Sequence, residues 1–305
     1  MLPFKLVYHD RYDLRLGPHV FPSQKYRLVR DALVAKGIAD PADLLSPQPV
    51  TDDDVRLVHT PEYVDKLLHD KLTASERMVL EIPYSKEVVE AFWLAAGGSI
   101  LAGRCALADG FGVNLGGGFH HAFSGHGEGF CMIHDVAIAI RRLQADAAIR
   151  TAMVVDTDVH QGNGTAAIFA ADPDVFTLSI HQKNSYPVPK PPSDLDIHLE
   201  DGTGDEEYLS ALAKGLEAAL DRLRPDLLFY VGGADPYRDD QLGGLWLTID
   251  GLRRRDELVF GRARDRSVPV AVTLAGGYAI NVADTVRIHV NTVLAAREVA
   301  DRRIR

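Results

Sequence analysis

The sequence predicts an α/β fold, one domain over residues 1–305, with a mainly parallel central sheet flanked by helices. Short runs that are apolar on both faces recur along the chain, as strands of a covered parallel sheet require, and helical periodicity fills the stretches between them. Hydrophobic residues make up 46% of the chain, enough for a sizeable core at this length.

The first run, FKLVY (4–8), reads as a strand, and TDDDV (51–55) as a helix start with acids near the positive end of the helix dipole. The uncharged stretch Ala91 to Gly103 lies between Glu90 and Arg104; it is too short to span a bilayer and is expected as a buried helix. GVNL (112–115) is the next strand. Ile133, Val136, Ala137, Ile140 and Leu143 then share one helical face. AMVVD (152–156) and VFTLSI (175–180) read as strands, and the proline-rich YPVPKPPSDLD (186–196) as a surface loop. Leu209, Leu212, Leu216, Leu220 and Leu223 form a second helical stripe, with Thr203 and Glu206 spaced as a capping box. LLFYV (227–231) and PVAVTL (269–274) complete the strands. The RRR at 253–255 reads as a solvated helix face and DRRIR (301–305) as a frayed tail.

Four strands end in unusual chemistry: GVNL runs into GGGFHH, AMVVD into TDVHQGNG, LLFYV into GGADPYRDDQLGG, and PVAVTL into AGGY. Taken singly, His120 and His121 could be loop histidines, Asp235 a turn former and Tyr278 a core aromatic. Parallel strands, however, deliver their carboxyl ends to one edge, where open α/β sheets bind ligands. Aspartates, histidines, an asparagine and a tyrosine converging there are costly to bury unless something compensates the charge, and a divalent metal does so. Asp158 and His160, two apart on an extended strand end, can face one cation, and Asp235 from a neighbouring strand supplies a third ligand. Three such ligands leave a position open for water or substrate, as in catalytic zinc sites.

Together, GGGFHH (116–121), DTDVHQGNG (156–164), GGADPYRDDQLGGL (232–245) and LAGGY (274–278) resemble the active-site motifs of the zinc-dependent histone deacetylase family. HTPEYV (59–64) and RRRDELVF (253–260) are most similar to its class IV members and their bacterial relatives. The resemblance runs from VYHDRY (7–12) to the C-terminal helix and implies the arginase/deacetylase fold, with about eight strands in the sheet. It implies one Zn2+ per chain on Asp158, His160 and Asp235, and proton transfer by His120 and His121, with His121 the general base. Asp156 would support His120 and Asn163 would support His121, unequally, because an amide cannot stabilise an imidazolium as a carboxylate does. Tyr278 would donate its hydroxyl to the amide oxygen. The resemblance also implies K+, held by backbone oxygens near Asp156, Asp158, His160 and Ile180 and by the Ser179 hydroxyl. Gly129, Phe130, Tyr186, Gly276 and Gly277 would belong to an acyl-lysine channel. Small residues at 116–118 and 276–277, with the class IV resemblance, favour acyl chains longer than acetyl.

The expected reaction is hydrolysis of the amide on an acylated lysine side chain of a protein or peptide. An amidohydrolase of acetylpolyamines or other small acylated amines would use the same chemistry. A binuclear manganese ureohydrolase would need acids at Gly162 and Tyr237, and a non-catalytic acyl-lysine binder would not need this full residue set. The remaining histidines are expected to be structural or exposed, with His181 near the site. The formal net charge of −10 argues against direct nucleic-acid binding. Two cysteines and no signal-like N-terminus point to a reducing cytoplasm, and Cys131 is expected to pack beneath Phe130.

Overall fold

Runs such as AMVVD and LLFYV form strands because β-branched and aromatic side chains suit a pleated surface buried on both faces. A computed structural model of the chain describes residues 1–301. In chain order the strands are β1 (Lys5–Val7), β2 (Leu44–Leu45), β3 (Phe111–Asn114), β4 (Ala152–Asp156), β5 (Val175–Gln182), β6 (Leu195–Leu199), β7 (Leu227–Val231) and β8 (Val270–Thr273). They form one eight-stranded sheet in the order β2-β1-β3-β8-β7-β4-β5-β6, with every neighbouring pair parallel. β3, β8, β7 and β4, the four strands that end in polar residues, are therefore adjacent. Asn114, Thr273, Val231, Asp156 and Ser179 lie in one row across the sheet, so the loops that follow leave at one level.

Two strands were not expected from the sequence. β2 is only two residues long, and β6 begins at Leu195, inside the stretch read as a loop. Pairing with β5 orders the end of that stretch, even though Asp196 and His198 interrupt its apolar pattern.

The helices are α1 (Lys25–Ala35), α2 (Asp52–Arg56), α3 (Pro61–Leu68), α4 (Ala74–Leu80), α5 (Lys86–Asp109), α6 (Asp135–Ala145), α7 (Asn163–Phe169), α8 (Asp205–Arg222), α9 (Ile249–Asp265) and α10 (Val282–Asp301). At 24 residues, α5 is long and apolar enough to cross a membrane. Sixteen of those residues are buried, however, and the helix packs on β1, β3, β8 and α6, which makes it a core helix. The acids of α2 behave as expected: Thr51 caps Asp54 N–H, and the Asp54 carboxylate accepts from Thr51 N at 2.9 Å. In α6, Val136, Ala137, Ile140 and Leu143 are buried, with Ile133 just before its first turn.

Two expectations fail and a third holds in part. The N-cap of α8 is Gly204, and no capping box forms, because the Thr203 hydroxyl donates instead to Glu200 O at 2.8 Å. In the α8 stripe, Leu212, Leu216 and Leu220 are buried, whereas Leu209 and Leu223 are only partly so. In α9 the RRR run is not a solvated face, since Arg255 is fully buried with Asp256. Of the expected frayed tail, Asp301 ends α10 and residues 302–305 lie outside the described residues.

Candidate active site

The loop after β3 carries His120 and His121. It is held by buried Asp135 at the start of α6, whose carboxylate accepts the N–H groups of Gly118 (3.0 Å) and Phe119 (2.7 Å) and the Ser99 hydroxyl (2.5 Å). The loops after β4, β7 and β8 bring Asp158, His160, Asp235 and Tyr278 to the same place.

Asp158, His160 and Asp235 are all buried, and one ligand atom from each lies within 4.8 Å of the others. No other such cluster occurs among the described residues. Asp158 Oδ2 accepts from Gly276 N at 2.9 Å, and Asp235 Oδ1 accepts from Val159 N at 3.0 Å. Asp235 Oδ2 is buried without a hydrogen-bond partner, an acceptor free for a cation. A Cβ at Gly276 would collide with both carboxylates, so only glycine leaves this space clear. Burial and the Asp158 charge push the Asp235 carboxyl up. Burial would lower His160, but its hydrogen bond to Asp158 and the nearby Asp235 carboxylate outweigh it and push the imidazole up to about 10. Two carboxylates and an imidazole sharing a proton where a charge is needed fit a divalent metal, and their N/O donor set suits zinc.

The two neighbouring histidines differ. His120 Nδ1 is 2.7 Å from Asp156 Oδ2, and His121 Nδ1 is 2.7 Å from Asn163 Oδ1, with the ring centroids 4.0 Å apart. Burial alone would lower His120, but the Asp156 and Asp158 carboxylates raise it to about 9. Burial, then the positive charges of His120 and His160, push His121 well down. The carboxylate beside His120 favours its imidazolium, whereas the amide beside His121 offers no such charge.

His121, His160 and Tyr278 face a cavity of about 550 Å3 whose walls include Phe130, Tyr186 and Gly129. Gly129 and Phe130 both have positive φ, at 53° and 67°, a turn that any residue but glycine adopts at a cost. The Phe130 ring stacks on Phe21 at 6.0 Å and meets Tyr278 at 5.9 Å, while Tyr186 sets its ring edge-on to His121 at 4.9 Å. Gly276 lines a small inner cavity of about 20 Å3 beyond the histidines. Gly277 is not among the residues lining either cavity; a Cβ there would meet Thr285 and Ala234. Cys131 is buried and borders the inner cavity with Phe130.

Asp156 and Ser179 are in direct register on β4 and β5. The Ser179 hydroxyl is 2.9 Å from His181 Nδ1, and His181 Nε2 is 2.8 Å from His198 Nδ1. His181 thus stands behind the site without lining its cavity.

Several neighbours were not singled out from the sequence. His19, expected to be structural or exposed, lines the cavity and meets Phe130 edge-on at 5.2 Å. Lys25 is fully buried; its Nζ donates to Ala275 O at 2.6 Å and lies 5.5 Å from the Tyr278 ring. Burial lowers that ammonium to about 8, against the pull of Asp235, Asp158 and Asp240. Arg255 Nη1 donates to Gly233 O at 2.7 Å and to Thr157 O at 3.3 Å, in the segments that lead into Asp235 and Asp158. Asp256 neutralises it and also accepts from the Tyr230 and Thr292 hydroxyls. Arg255→Met should lower unfolding free energy by about 3 kcal/mol, because it strands the buried Asp256 charge. A urea midpoint unchanged from wild type would contradict that.

The comparisons with known proteins agree with this geometry. The histone deacetylase domain family matches residues 19–294. An uncharacterised protein of Picosynechococcus sp. is 41% identical over 97% of this chain and 99% of its own length. Histone deacetylase 2 of Arabidopsis thaliana is 30% identical over 90% of this chain and 74% of its own. The crystal structure of the HDA15 HD domain superposes with a TM-score of 0.78 at 22% identity, covering 97% of this chain and 95% of that one, a likeness of fold. The chain therefore belongs to the histone deacetylase family of the arginase/deacetylase superfamily and is a hydrolase acting on amides.

Proposed function

We propose that the protein is a zinc-dependent deacetylase of lysine side chains in proteins or peptides. The observation that carries this reading is the buried Asp158, His160 and Asp235 cluster at a cavity that His121 and Tyr278 also face. The three residues would hold one Zn2+, which when bound supplies Lewis-acid polarisation of the carbonyl and a lowered pKa for water.

The chain's own groups then divide the work. Phe130 and Tyr186 hold the lysine methylenes between aromatic walls and keep water from the stem. His121, neutral and with Nδ1 engaged by Asn163, takes the proton of the attacking water at Nε2. His120, held protonated by Asp156, stabilises charge and donates its proton to the leaving amine, and the pair is reset when His121 releases the proton it took and His120 regains one from solvent. Tyr278 donates its hydroxyl to the developing oxyanion. A K+ ion beside Asp156, Asp158, His160, Ser179 and Ile180 is part of this proposal, supported by the register that puts Asp156 beside Ser179.

The inner cavity supports a short acyl group over the longer chains that the resemblance suggested. A volume of about 20 Å3 takes a methyl group or one water, and the rings of Phe21, Tyr26 and Phe119 border it. A Cβ at Gly276 would meet the Asp158 and Asp235 carboxylates, and one at Gly116, Gly117, Gly118 or Gly277 would meet Tyr12, Asp135, Ala275 or Thr285, so these glycines serve close packing. On one lysine peptide, kcat/KM should therefore fall from acetyl to octanoyl to myristoyl, by about tenfold or more overall, as overpacking costs about 1–3 kcal/mol. A rise along the series would restore the long-chain reading.

The test of substrate class compares an acetyl-lysine peptide with acetylated polyamines. Glu81 is the one acid lining the cavity mouth, which gives a polycation little to hold, so the peptide should be hydrolysed with the higher kcat/KM. Faster hydrolysis of the polyamine would overturn the protein-lysine reading while leaving the amide chemistry in place.

A further inference from the structure

Asn163 supports His121 through an amide, which has one accepting and one donating end, whereas a carboxylate only accepts. The end that meets His121 decides where the ring proton sits. Two neighbours fix it, because neither can reverse its role. The Glu128 carboxylate accepts from Asn163 Nδ2 at 2.5 Å, and the Gly164 N–H donates to Asn163 Oδ1 at 3.1 Å. Oδ1 therefore faces His121 Nδ1. That nitrogen must carry the proton, and Nε2 keeps its lone pair.

We propose that Glu128 is a positioning residue for the hydrolysis: by anchoring the Asn163 amide it selects the His121 tautomer whose Nε2 can accept a proton. The proposal rests on the reading of His121 as the general base. Glu128 does not line the main cavity, so it acts through Asn163. The same Oε1 accepts the Tyr186 hydroxyl at 2.6 Å, and Oε2 lies 3.2 Å from His126 Nε2. Channel wall and base thus share one anchor. The carboxyl is partly buried, which would raise it, yet hydrogen bonds from His126, Tyr186 and Asn163 hold it below the ordinary glutamate range. It is therefore an anion near neutral pH, a fixed acceptor.

The test combines kinetics with 15N NMR of histidine-labelled protein near neutral pH, the His121 signals being assigned with a His121→Gln variant. In Glu128→Ala, Gly164 alone orients the amide. A second His121 tautomer, protonated at Nε2, should appear, and kcat should fall by about tenfold or more with KM changed less than about twofold. Glu128→Gln, whose Oε1 can still accept from Nδ2, should restore both. Tyr186→Phe should leave the tautomer as in the wild type, because it removes only the wall's bond to Glu128. An unchanged tautomer in Glu128→Ala would overturn the proposal whatever the activity, and so would a Gln variant as impaired as the Ala variant. A changed tautomer with undiminished kcat would uphold the positioning by Glu128 and instead refute His121 as the base.

Discussion

Tyr278→Phe should keep its fold and its metal while kcat for amide hydrolysis falls about 100- to 1000-fold, the usual loss when one oxyanion donor is removed. The substitution deletes a hydroxyl and nothing else. The ring's packing against Phe21 at 6.3 Å, Phe130 at 5.9 Å and the Lys25 ammonium at 5.5 Å would persist, as would the backbone bond from Tyr278 N to Asp240. An interaction made mainly in the transition state appears in kcat more than in KM. Undiminished hydrolysis by the folded variant would remove Tyr278 from the chemistry and leave it as a wall residue.

Asp235→Asn should lose both metal and activity. Asp235 Oδ1 is occupied by Val159 N, whereas the buried Oδ2 has no donor, so the substitution puts an amide where the cation needs an anionic oxygen. An Asn carbonyl at that position supplies no charge, and an NH2 group repels the metal outright. Zinc supplies several kcal/mol of charge stabilisation, so the loss should be about 10^3-fold or more. Stability gives an independent readout. Zinc at about 1000 times its Kd should stabilise the wild type by about 4 kcal/mol and raise Tm by several degrees. In Asp235→Asn the shift should vanish; an equal shift would mean that zinc binds elsewhere.

The sequence made the middle of the sheet legible and its margins less so. Apolar runs such as AMVVD and LLFYV mark inner strands, because both faces are covered and no polar residue interrupts them. β2 is too short to show a pattern, and β6 alternates with Asp196 and His198 at the sheet's edge, directly after a proline run. The residues brought together at the strand ends were legible because each follows a strand directly. His19, Lys25 and Glu128 come from loops or a helix start far away in sequence, and nothing local distinguishes them. Arg255 is different. Leu252, Arg255, Asp256, Val259, Phe260 and Ala263 are all buried at helical spacing, so the position of Arg255 on the apolar face of α9 was readable. The adjacent Arg253 and Arg254, paired with Glu257 and Glu206 on the partly exposed side, masked it.

The central claim is that one metal ion on Asp158, His160 and Asp235 drives amide hydrolysis. Metal-stripped protein should be titrated with Zn2+ while hydrolysis of an acetyl-lysine peptide is followed. Activity should rise from baseline and saturate at one equivalent per chain, because one ligand cluster of this kind occurs among the described residues. Activity that needs two equivalents, or that is already complete in the stripped protein, would contradict the account.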